Sequence, residues 1–457
     1  MFNEKYNLTK GNILAQLIKV SLPVMLTSLM QMAYNLTDLF WLGRATSDET
    51  INTGYIASAG FGGLFTWLAA AIIILVRIGT EVRVAQSVGK VDEESARDYA
   101  RTGVQLEVVL GLLFTVIIAI FTPFWISLFR IPEQIVYDNA VLYLRIICIG
   151  LVFYMVNPVF SATLNGTGNT KTSFLISSIG LILNMILDPI FIVTLNMGIK
   201  GAAIATVIAQ ITVTISFLIY FNTHHSLLRK AQYFTKFTSD KALDILKLGI
   251  PAAIQSAIFT FISMYLTGLV SPFGKEANAV QKLGSQIESL SWLVAGGFQT
   301  ALSAFVGQNF GAYQPKRILK GFRYAMLTLG AYGIVISVLM FIFSRELFGL
   351  FSGDPEAIRL GDDYLKILAF SQLFMIIEAL VGGAFNGLGK TIPQSIVSLS
   401  FNALRIPIAY LLIKFYGLNG IWLALTISSI FKGTVIYLWF KIYIRNKEMF
   451  KLALKEG

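Results

Sequence analysis

Two polar side chains and a proline interrupt the apolar run LILNMILDPIFIV. Asn184 and Asp188 are one helical turn apart, so they share a helix face. Pro189 has no backbone N–H and therefore leaves the carbonyl of Met185 free if the run is helical. Carboxylate, amide and carbonyl oxygens suit a small hard cation such as Na⁺, and a desolvated carboxylate can hold a proton near neutral pH. The pattern predicts a site for H⁺ or Na⁺; an Asn–Asp pair that only fixes helix packing is the alternative.

The first apolar run carries another acid, Asp38, at the end of a polar stripe. Asp38 follows Gln31 and Asn35 on helical spacing, and Tyr34 lies one turn before it. A polar stripe of this kind faces a cavity or another helix rather than lipid. We therefore predict that Asp38 is a functional residue facing a cavity and that Gln31, Tyr34 and Asn35 line a substrate cavity. The alternative is that Asp38 caps the outer end of its helix.

Further polar groups lie in apolar runs elsewhere in the chain. Glu288 shares a helix face with Trp292 in the eighth run, Glu378 lies in the tenth, and Asn157 lies in the fourth. We predict that these four residues also line the substrate cavity. Alternatively, the two acids form ion pairs that serve structure alone. The cations proposed for such pairs are Arg405 and Lys282.

The composition determines the kind of element that positions these residues. Of 457 residues, 55% are hydrophobic and only 13% are charged, and the mean hydropathy is +0.70. Uncharged runs of about 20 residues, enough to cross a bilayer as helix, recur along the whole chain. The polar start MFNEKYNLTKGN is unlike a cleaved signal peptide, so we expect the first run to be retained. We predict an all-α membrane protein with about twelve spans, at 14–42, 55–82, 99–126, 136–163, 172–195, 199–222, 243–270, 278–307, 318–345, 358–385, 393–415 and 419–443.

Several chemistries are excluded by residues that the chain lacks. Its one cysteine, Cys148, cannot form an internal disulfide or a cysteine metal cluster, and its only histidines, His224 and His225, sit in a polar loop. Neither a GxxxxGK[ST] phosphate loop nor an HExxH zinc motif occurs. Asp38 and Asp188 lack the flanking glycines expected of an intramembrane aspartyl hydrolase. We therefore predict a protein that is not an enzyme and that needs no cofactor.

The net charge of +11 reflects membrane topology rather than nucleic-acid binding. Lysine and arginine concentrate in the segments 90–101, 229–247, 316–323 and 441–455. Such an excess marks the cytoplasmic side. We expect both termini to be cytoplasmic, in a multi-pass protein of the cytoplasmic (inner) membrane that binds no nucleic acid and is a monomer.

The chain contains an internal repeat. NGTGNT and NGLGKT recur at matching places, QSVGK matches QNFGA, and LIKVSLP matches ILKLGIP. Each repeat has six spans, an even number, so the two lobes, 1–230 and 231–457, should be parallel repeats that move by alternating access around a midplane cavity. Pro23 and Pro251 are equivalent in the repeat and, with Pro189, are predicted as hinges.

These motifs resemble a known family. The first span LPVMLTSLMQMAYNLTDLFWLG, the NGTGNT and NGLGKT turns and NMILDP are similar to those of multidrug and toxic compound extrusion (MATE) transporters, over essentially the whole chain. The acids of the first lobe resemble the DinF-like, archaeal-type branch of that family. In this branch two aspartates, an asparagine and a threonine bind the coupling cation. The resemblance implies that here these are Asp38, Asn184, Asp188 and Thr206.

The resemblance implies a secondary active multidrug exporter. It would exchange H⁺ or Na⁺ for amphiphilic or cationic compounds by alternating access. The alternative is a flippase for a lipid-linked precursor in the same superfamily. A flippase for anionic headgroups should line its cavity with several arginines and lysines, whereas the candidate residues here are acids and amides.

Overall fold

The fold is described by a computed structural model covering residues 7–223, 237–351 and 353–455. Within them, twelve helices are long and apolar enough to span a membrane, which confirms the predicted fold class. The main difference from the predicted spans is that several helices extend further at their polar ends. The helices are α1 (Ile13–Leu42), α2 (Glu49–Gly89), α3 (Glu93–Ile120), α4 (Gln134–Gly166), α5 (Thr170–Asp188), α6 (Ile199–Thr223), α7 (Ser239–Val270), α8 (Lys275–Gly311), α9 (Pro315–Ile342), α10 (Pro355–Gly387), α11 (Ile392–Tyr416) and α12 (Leu418–Asn446).

Polar residues at the helix starts show why the chain turns where it does. The carboxylates of Asp48, Asp92 and Asp354 accept backbone N–H groups at the starts of α2, α3 and α10, and Asn169 does the same for α5. These bonds satisfy donors that have no partner within the first helical turn. Short helices, Thr122–Ser127 and Ser344–Gly349, follow α3 and α9.

Corresponding turns of the repeat have the same backbone conformation. Val91 and Tyr313, just before α3 and α9, both have positive φ, 61° and 52°. Gly168 and Gly389, in the NGTGNT and NGLGKT turns, have φ values of 85° and 70°. Glycine suits these last two positions because it has no Cβ to oppose the left-handed conformation. The internal repeat therefore extends from the sequence to the backbone of the turns.

The chain divides into two compact units, and two helices contribute to both. Unit 1 is mainly Pro23–Gly249, and unit 2 is Leu8–Leu22 with Ile250–Gly457. Helix α1 thus begins in unit 2 and continues in unit 1 from Pro23, and α7 begins in unit 1 and continues in unit 2 just before Pro251. The predicted lobe boundary, between residues 230 and 231, lies outside the described residues.

Close helix packing holds the start of α7 in unit 1. A Cβ atom at Gly79 of α2 would overlap the backbone of Ile245, and one at Gly249 of α7 would overlap the carbonyl of Leu75. Small residues of this kind allow two helix backbones to touch. Phe217 of α6 stacks beside this region on Phe160 of α4, with ring centroids 5.5 Å apart.

Aromatic side chains fill the interior of unit 2. Tyr364 of α10 and Trp422 of α12 are fully buried and meet edge to face, with centroids 5.1 Å apart. Phe385 of α10 and Phe440 of α12 form a similar pair at 5.0 Å. Such pairs add stability beyond the burial of their area. They tie α10 to α12 and give rigid support to the polar groups between them.

Candidate functional site

Asp188 lies where one kind of helix changes into another. Helix α5 ends at Asp188, and a π-helix, Pro189–Thr194, continues the chain. Its wider turn is visible in the bond from the Leu195 backbone N–H to the Ile190 carbonyl, at 2.8 Å. Pro189 stands at the junction because it supplies no N–H to the α-helix. Short π-helices are frequent at functional sites, and this one positions a carboxylate at the end of α5.

Asn184 connects Asp188 to α6. With its amide oriented so that both of its groups are satisfied, Asn184 donates its side-chain N–H to Asp188 Oδ2 at 3.1 Å, and its side-chain oxygen accepts the Thr206 backbone N–H at 3.1 Å. Tyr34 of α1 and Thr206 share a hydrogen bond between their hydroxyl oxygens, at 3.4 Å. Asn184 and Asp188 are both completely buried. Four of the predicted residues, from α1, α5 and α6, therefore lie in one cluster, which we call the N-site.

Asp38 completes the N-site. It lies one turn before the end of α1 and interacts electrostatically with Asp188. Oδ1 of Asp38 and Oδ1 of Asp188 are both buried, and neither has a hydrogen-bond partner among the described residues. A buried carboxylate oxygen without a donor is costly unless a proton or a cation satisfies it. Together with the two hydroxyl groups, the donor set fits H⁺ or Na⁺.

A cavity of about 240 Å³ within unit 1 reaches the N-site. Gln31 and Tyr34 of α1 line it, as do Asn157, Asn184 and Thr206. Asn35 lies outside this lining and instead accepts a hydrogen bond from the side-chain N–H of Gln31 at 3.4 Å. The structure therefore gathers most, but not all, of the predicted first-lobe residues around one polar cavity.

A hydrogen-bonded group on α6 was missed by the sequence analysis. The Asn157 amide donates to the side-chain oxygen of Gln210 at 3.0 Å, and the Thr214 hydroxyl donates to Asn157 at 2.7 Å. Gln210 and Thr206 both line the cavity. The signal was present, since Thr206, Gln210 and Thr214 follow one another at four-residue intervals in an apolar helix.

Glu107 of α3 was also missed. Its side chain is 0% exposed, and neither carboxylate oxygen has a hydrogen-bond partner among the described residues. It packs where α3 approaches α2 and α4, because its neighbours one turn away, Gly103 and Gly111, face Thr80 and Met155. An acid in the apolar run GVQLEVVLG was sufficient signal to include it.

Glu378 forms an ion pair in unit 2, but not with the cations considered from the sequence. Its carboxylate lies 2.9 Å from the Lys432 ammonium group and accepts the Ser398 hydroxyl at 2.5 Å. The proposed partner Arg405 instead donates to the hydroxyl of Ser428 at 2.7 Å. The sequence alone did not identify this pair because it does not reveal which of the other helices packs against α10 at Glu378.

Glu288 and Trp292 also belong to unit 2. The carboxylate of Glu288 accepts the Tyr364 hydroxyl at 3.1 Å and the Gln372 amide at 3.0 Å. Trp292 is 40% exposed. Glu378 belongs to the same unit, and the predicted contact of these three residues with substrate remains a prediction.

Comparison with known proteins identifies the family. The family model described as MatE matches residues 23–190 and 251–411, well over half of the chain. The chain belongs to the MatE family. The two matched segments begin at Pro23 and Pro251, the equivalent prolines of the internal repeat.

Relatives extend the MatE match over nearly the whole chain. It is 27% identical over 433 residues to the probable multidrug resistance protein NorM of Thermotoga maritima, covering 93% of this chain and 91% of that protein. It is 29% identical over 449 residues to the probable multidrug resistance protein YpnP of Bacillus subtilis, covering 97% and 98%. A crystal structure of a MATE protein in the bent conformation has the same fold, with a TM-score of 0.89, 21% identity and coverage of 99% and 100%.

Membership of the MatE family defines the class of protein. The chain is a multi-pass membrane transporter that acts on small molecules, and it is not an enzyme. The predictions of fold, family and class are therefore confirmed.

Proposed function

We propose that this MatE protein is a secondary active multidrug exporter, driven by H⁺ or Na⁺ at the N-site. The observation that carries the proposal is the pair of buried carboxylate oxygens, on Asp38 and Asp188, that have no hydrogen-bond partner among the described residues. Asn184 donates to Asp188 and accepts the backbone N–H of Thr206, which links the carboxylate to α6. The resemblance of this arrangement to the first-lobe cluster of the DinF-like branch supports the proposal.

Coupling requires that the ion and the compound favour different states of the transporter. A monovalent ion at the N-site offsets one of the two negative charges of carboxylates that interact with each other. Tyr34 and Asn184 belong to the N-site and also line the cavity, so binding of a compound there and binding of the ion are not independent. We propose that this competition produces antiport by alternating access, with Pro23, Pro189 and Pro251 as the bending points.

The names of the relatives support the choice of substrate class. NorM and YpnP are both named as probable multidrug resistance proteins. We propose amphiphilic, often cationic substrates, a monomeric protein, and a location in the cytoplasmic membrane with both termini cytoplasmic. The last proposal rests on the excess of lysine and arginine in alternate connecting segments.

Ethidium export from proteoliposomes tests the function. The purified protein is reconstituted, and ethidium movement is followed under an imposed pH gradient or, separately, an imposed Na⁺ gradient. We expect one gradient to drive export and Asp188→Asn to reduce the rate at least tenfold. Asp138→Asn, at an exposed acid of α4 outside the cavity lining, is the matched control. Equal rates in the wild type and in Asp188→Asn would contradict the proposal.

The flippase alternative is less well supported. An anionic lipid headgroup would need several cations in the cavity wall, whereas Arg77 is the only lysine or arginine among the described residues that line the cavity of unit 1. Failure of both gradients to move ethidium, together with tight binding of a polyprenyl-linked precursor, would favour the flippase instead.

A further inference from the structure

A cationic side chain, Arg77 of α2, lies in the wall of the unit 1 cavity. It is the only lysine or arginine among the described residues that line this cavity. Its guanidinium forms no hydrogen bond or ion pair with another described residue. An arginine within a membrane-spanning helix is costly and marks a candidate functional site. The N–H donors of Arg77 are therefore available to an anion in the cavity.

Glu81 does not occupy these donors. It follows Arg77 by one turn of α2, and the two side chains interact electrostatically. In the part of the chain that the structure describes, however, they form no ion pair, and Glu81 is not part of the cavity wall. Glu81 thus offsets some of the positive charge and leaves the hydrogen-bonding capacity of Arg77 unused.

Helix packing shows where Arg77 lies along the cavity. Gly62 of α2 faces Tyr143 of α4, and further along the same two helices Glu81 faces Gly166. The two helices therefore run in parallel, and α4 ends at Gly166. Arg77, one turn before Glu81, lies about one turn before the end of α4. This is the end of the cavity at which α5 begins.

Neutral donors surround this end of the cavity. Hydroxyl groups in helices commonly bond to a carbonyl one turn earlier, as Thr163 does to Val159 at 3.0 Å. Five side chains in the cavity wall make no hydrogen bond to another described residue, namely Ser161, Asn165, Thr170, Ser173 and Ser177. Asn165 is only 7% exposed, and its buried side-chain oxygen also has no partner in the described ranges. Several donors beside Arg77 are thus free to bind a ligand.

The N-site lies towards the other end of the same cavity. Tyr34 and Asn184 of the N-site line the cavity. Eleven residues of α5 separate Ser173, near Arg77, from Asn184, a distance of about 16 Å at the rise of an α-helix. The acids of the N-site and the cation Arg77 therefore stand well apart, so one elongated compound can meet both.

The internal repeat shows that this cation is specific to unit 1. Counting back from the matched QSVGK and QNFGA places Arg77 opposite Gln299 of α8. The N-site acid Asp188 is likewise opposite an uncharged residue, Ala409. The cation and the acids thus occur together in one unit. A packing role common to α2 and α8 would not require the charge.

We propose that Arg77, together with the donors around it, binds an anionic oxygen group of the transported compound: a carboxylate, sulfonate or phosphate. A guanidinium recognises such groups through two parallel hydrogen bonds. The proposal rests on the proposed function, because it takes the cavity of unit 1 as the substrate site. It adds a selectivity: the cavity favours compounds that carry one anionic group, which is directed away from the N-site acids.

Binding of two matched dyes to the purified full chain in detergent tests the proposal. Rhodamine 110 carries a free carboxylate, and rhodamine 123 is its methyl ester, so the two differ mainly in that charge. Fluorescence anisotropy at pH 7 gives a Kd for each dye. We expect Arg77→Gln to weaken binding of rhodamine 110 about tenfold and that of rhodamine 123 less than about twofold. Arg77→Lys, which keeps the charge but loses the planar fork, should weaken rhodamine 110 binding less.

Arg145→Gln is the matched control, because Arg145 is an exposed arginine of α4 outside the cavity wall. Equal losses for the two dyes in Arg77→Gln, no loss for either, or the same selective loss in Arg145→Gln would overturn the proposal. Absence of rhodamine 110 binding to the wild type would also overturn it. Unchanged rhodamine 123 binding establishes that Arg77→Gln is folded. The assay uses no ion gradient, so its failure is distinguishable from a failure of coupling at the N-site.

Discussion

Asn184 is the residue that organises the N-site. Its side-chain N–H donates to Asp188, and its side-chain oxygen accepts the backbone N–H of Thr206. The amide therefore fixes the carboxylate relative to α6 while leaving Oδ1 of Asp188 without a partner. Hydrogen bonds to charged groups are stronger than those between neutral groups. Removal of the amide should therefore affect ion binding more than folding.

We expect Asn184→Ala to lower the rate of gradient-driven ethidium export about tenfold, because a hydrogen bond to a charged group contributes about 1.5 kcal/mol or more. The rate is measured in proteoliposomes at several concentrations of the coupling ion. A higher ion concentration should restore part of the rate. Asn222→Ala, at an exposed asparagine near the end of α6, serves as the control. An unchanged rate in Asn184→Ala would show that this amide does not support the carboxylate.

Glu107 leads to a prediction about stability. An unpaired buried charge is costly, whereas an amide of the same shape avoids that cost. We therefore expect Glu107→Gln to be at least as stable as the wild type in thermal unfolding of the detergent-solubilised protein. A loss of more than about 2 kcal/mol would indicate that the charge of Glu107 is paired after all.

At the level of single residues, the sequence was a good guide to chemistry within one helix. Asn184 and Asp188 were recognised because an amide and an acid are conspicuous in an apolar run and their spacing puts them on one face. Contacts between helices were harder to predict from the sequence. The pair of Glu378 with Lys432 joins α10 to α12, and no spacing rule within a helix reveals which helices are neighbours.

Among the elements, the segment directly after α5 differs most from the expected structure. The proline was expected to free one carbonyl of a continuous helix, whereas the chain forms a π-helix from Pro189 to Thr194. The α-helical pattern of apolar residues hardly differs between the two, so hydrophobic periodicity alone does not distinguish them. The positions of the twelve spans were predictable because their length and hydropathy follow from the bilayer itself.

The start of α3 permits a prediction about pH. Asp92 accepts the backbone N–H of Ser95 at 2.9 Å, and this bond holds the pKa of Asp92 below its ordinary value of 3.8. The ionised carboxylate therefore stabilises the folded state fully above that ordinary pKa, and the contribution is lost as the pH falls through the lower pKa of the folded state.

We expect Asp92→Ala to reduce the free energy of unfolding by about 1 kcal/mol at pH 7, the usual contribution of a helix cap. Thermal unfolding at pH 7 and near pH 3 measures the effect, and the difference from the wild type should shrink at the lower pH. Glu94→Ala, in the same turn but without the capping bond, should cost less. Equal losses in the two variants would contradict a specific role of the Asp92 cap.

For the whole molecule, the internal repeat explains both what is common to the units and what differs. The matched turns have the same backbone conformation, as at Val91 and Tyr313. The functional groups do not follow the repeat. The N-site acids occur only in unit 1, since Asn184 corresponds to Arg405 in the repeat and Asp188 corresponds to Ala409. Duplication of the backbone followed by different side chains accounts for a protein whose two units carry different polar groups.

Ion movement driven by a drug gradient, the reverse of drug export, tests coupling at the N-site most directly. Because coupling is reciprocal, a gradient of ethidium alone should drive H⁺ or Na⁺ in the opposite direction. Wild-type proteoliposomes are given an ethidium gradient, and internal pH and ²²Na⁺ uptake are recorded. We predict counter-movement of one of the two ions, and its loss in Asp38→Asn and in Asp188→Asn. Ethidium movement without any ion movement, or ion movement that persists in both variants, would contradict coupling at the N-site.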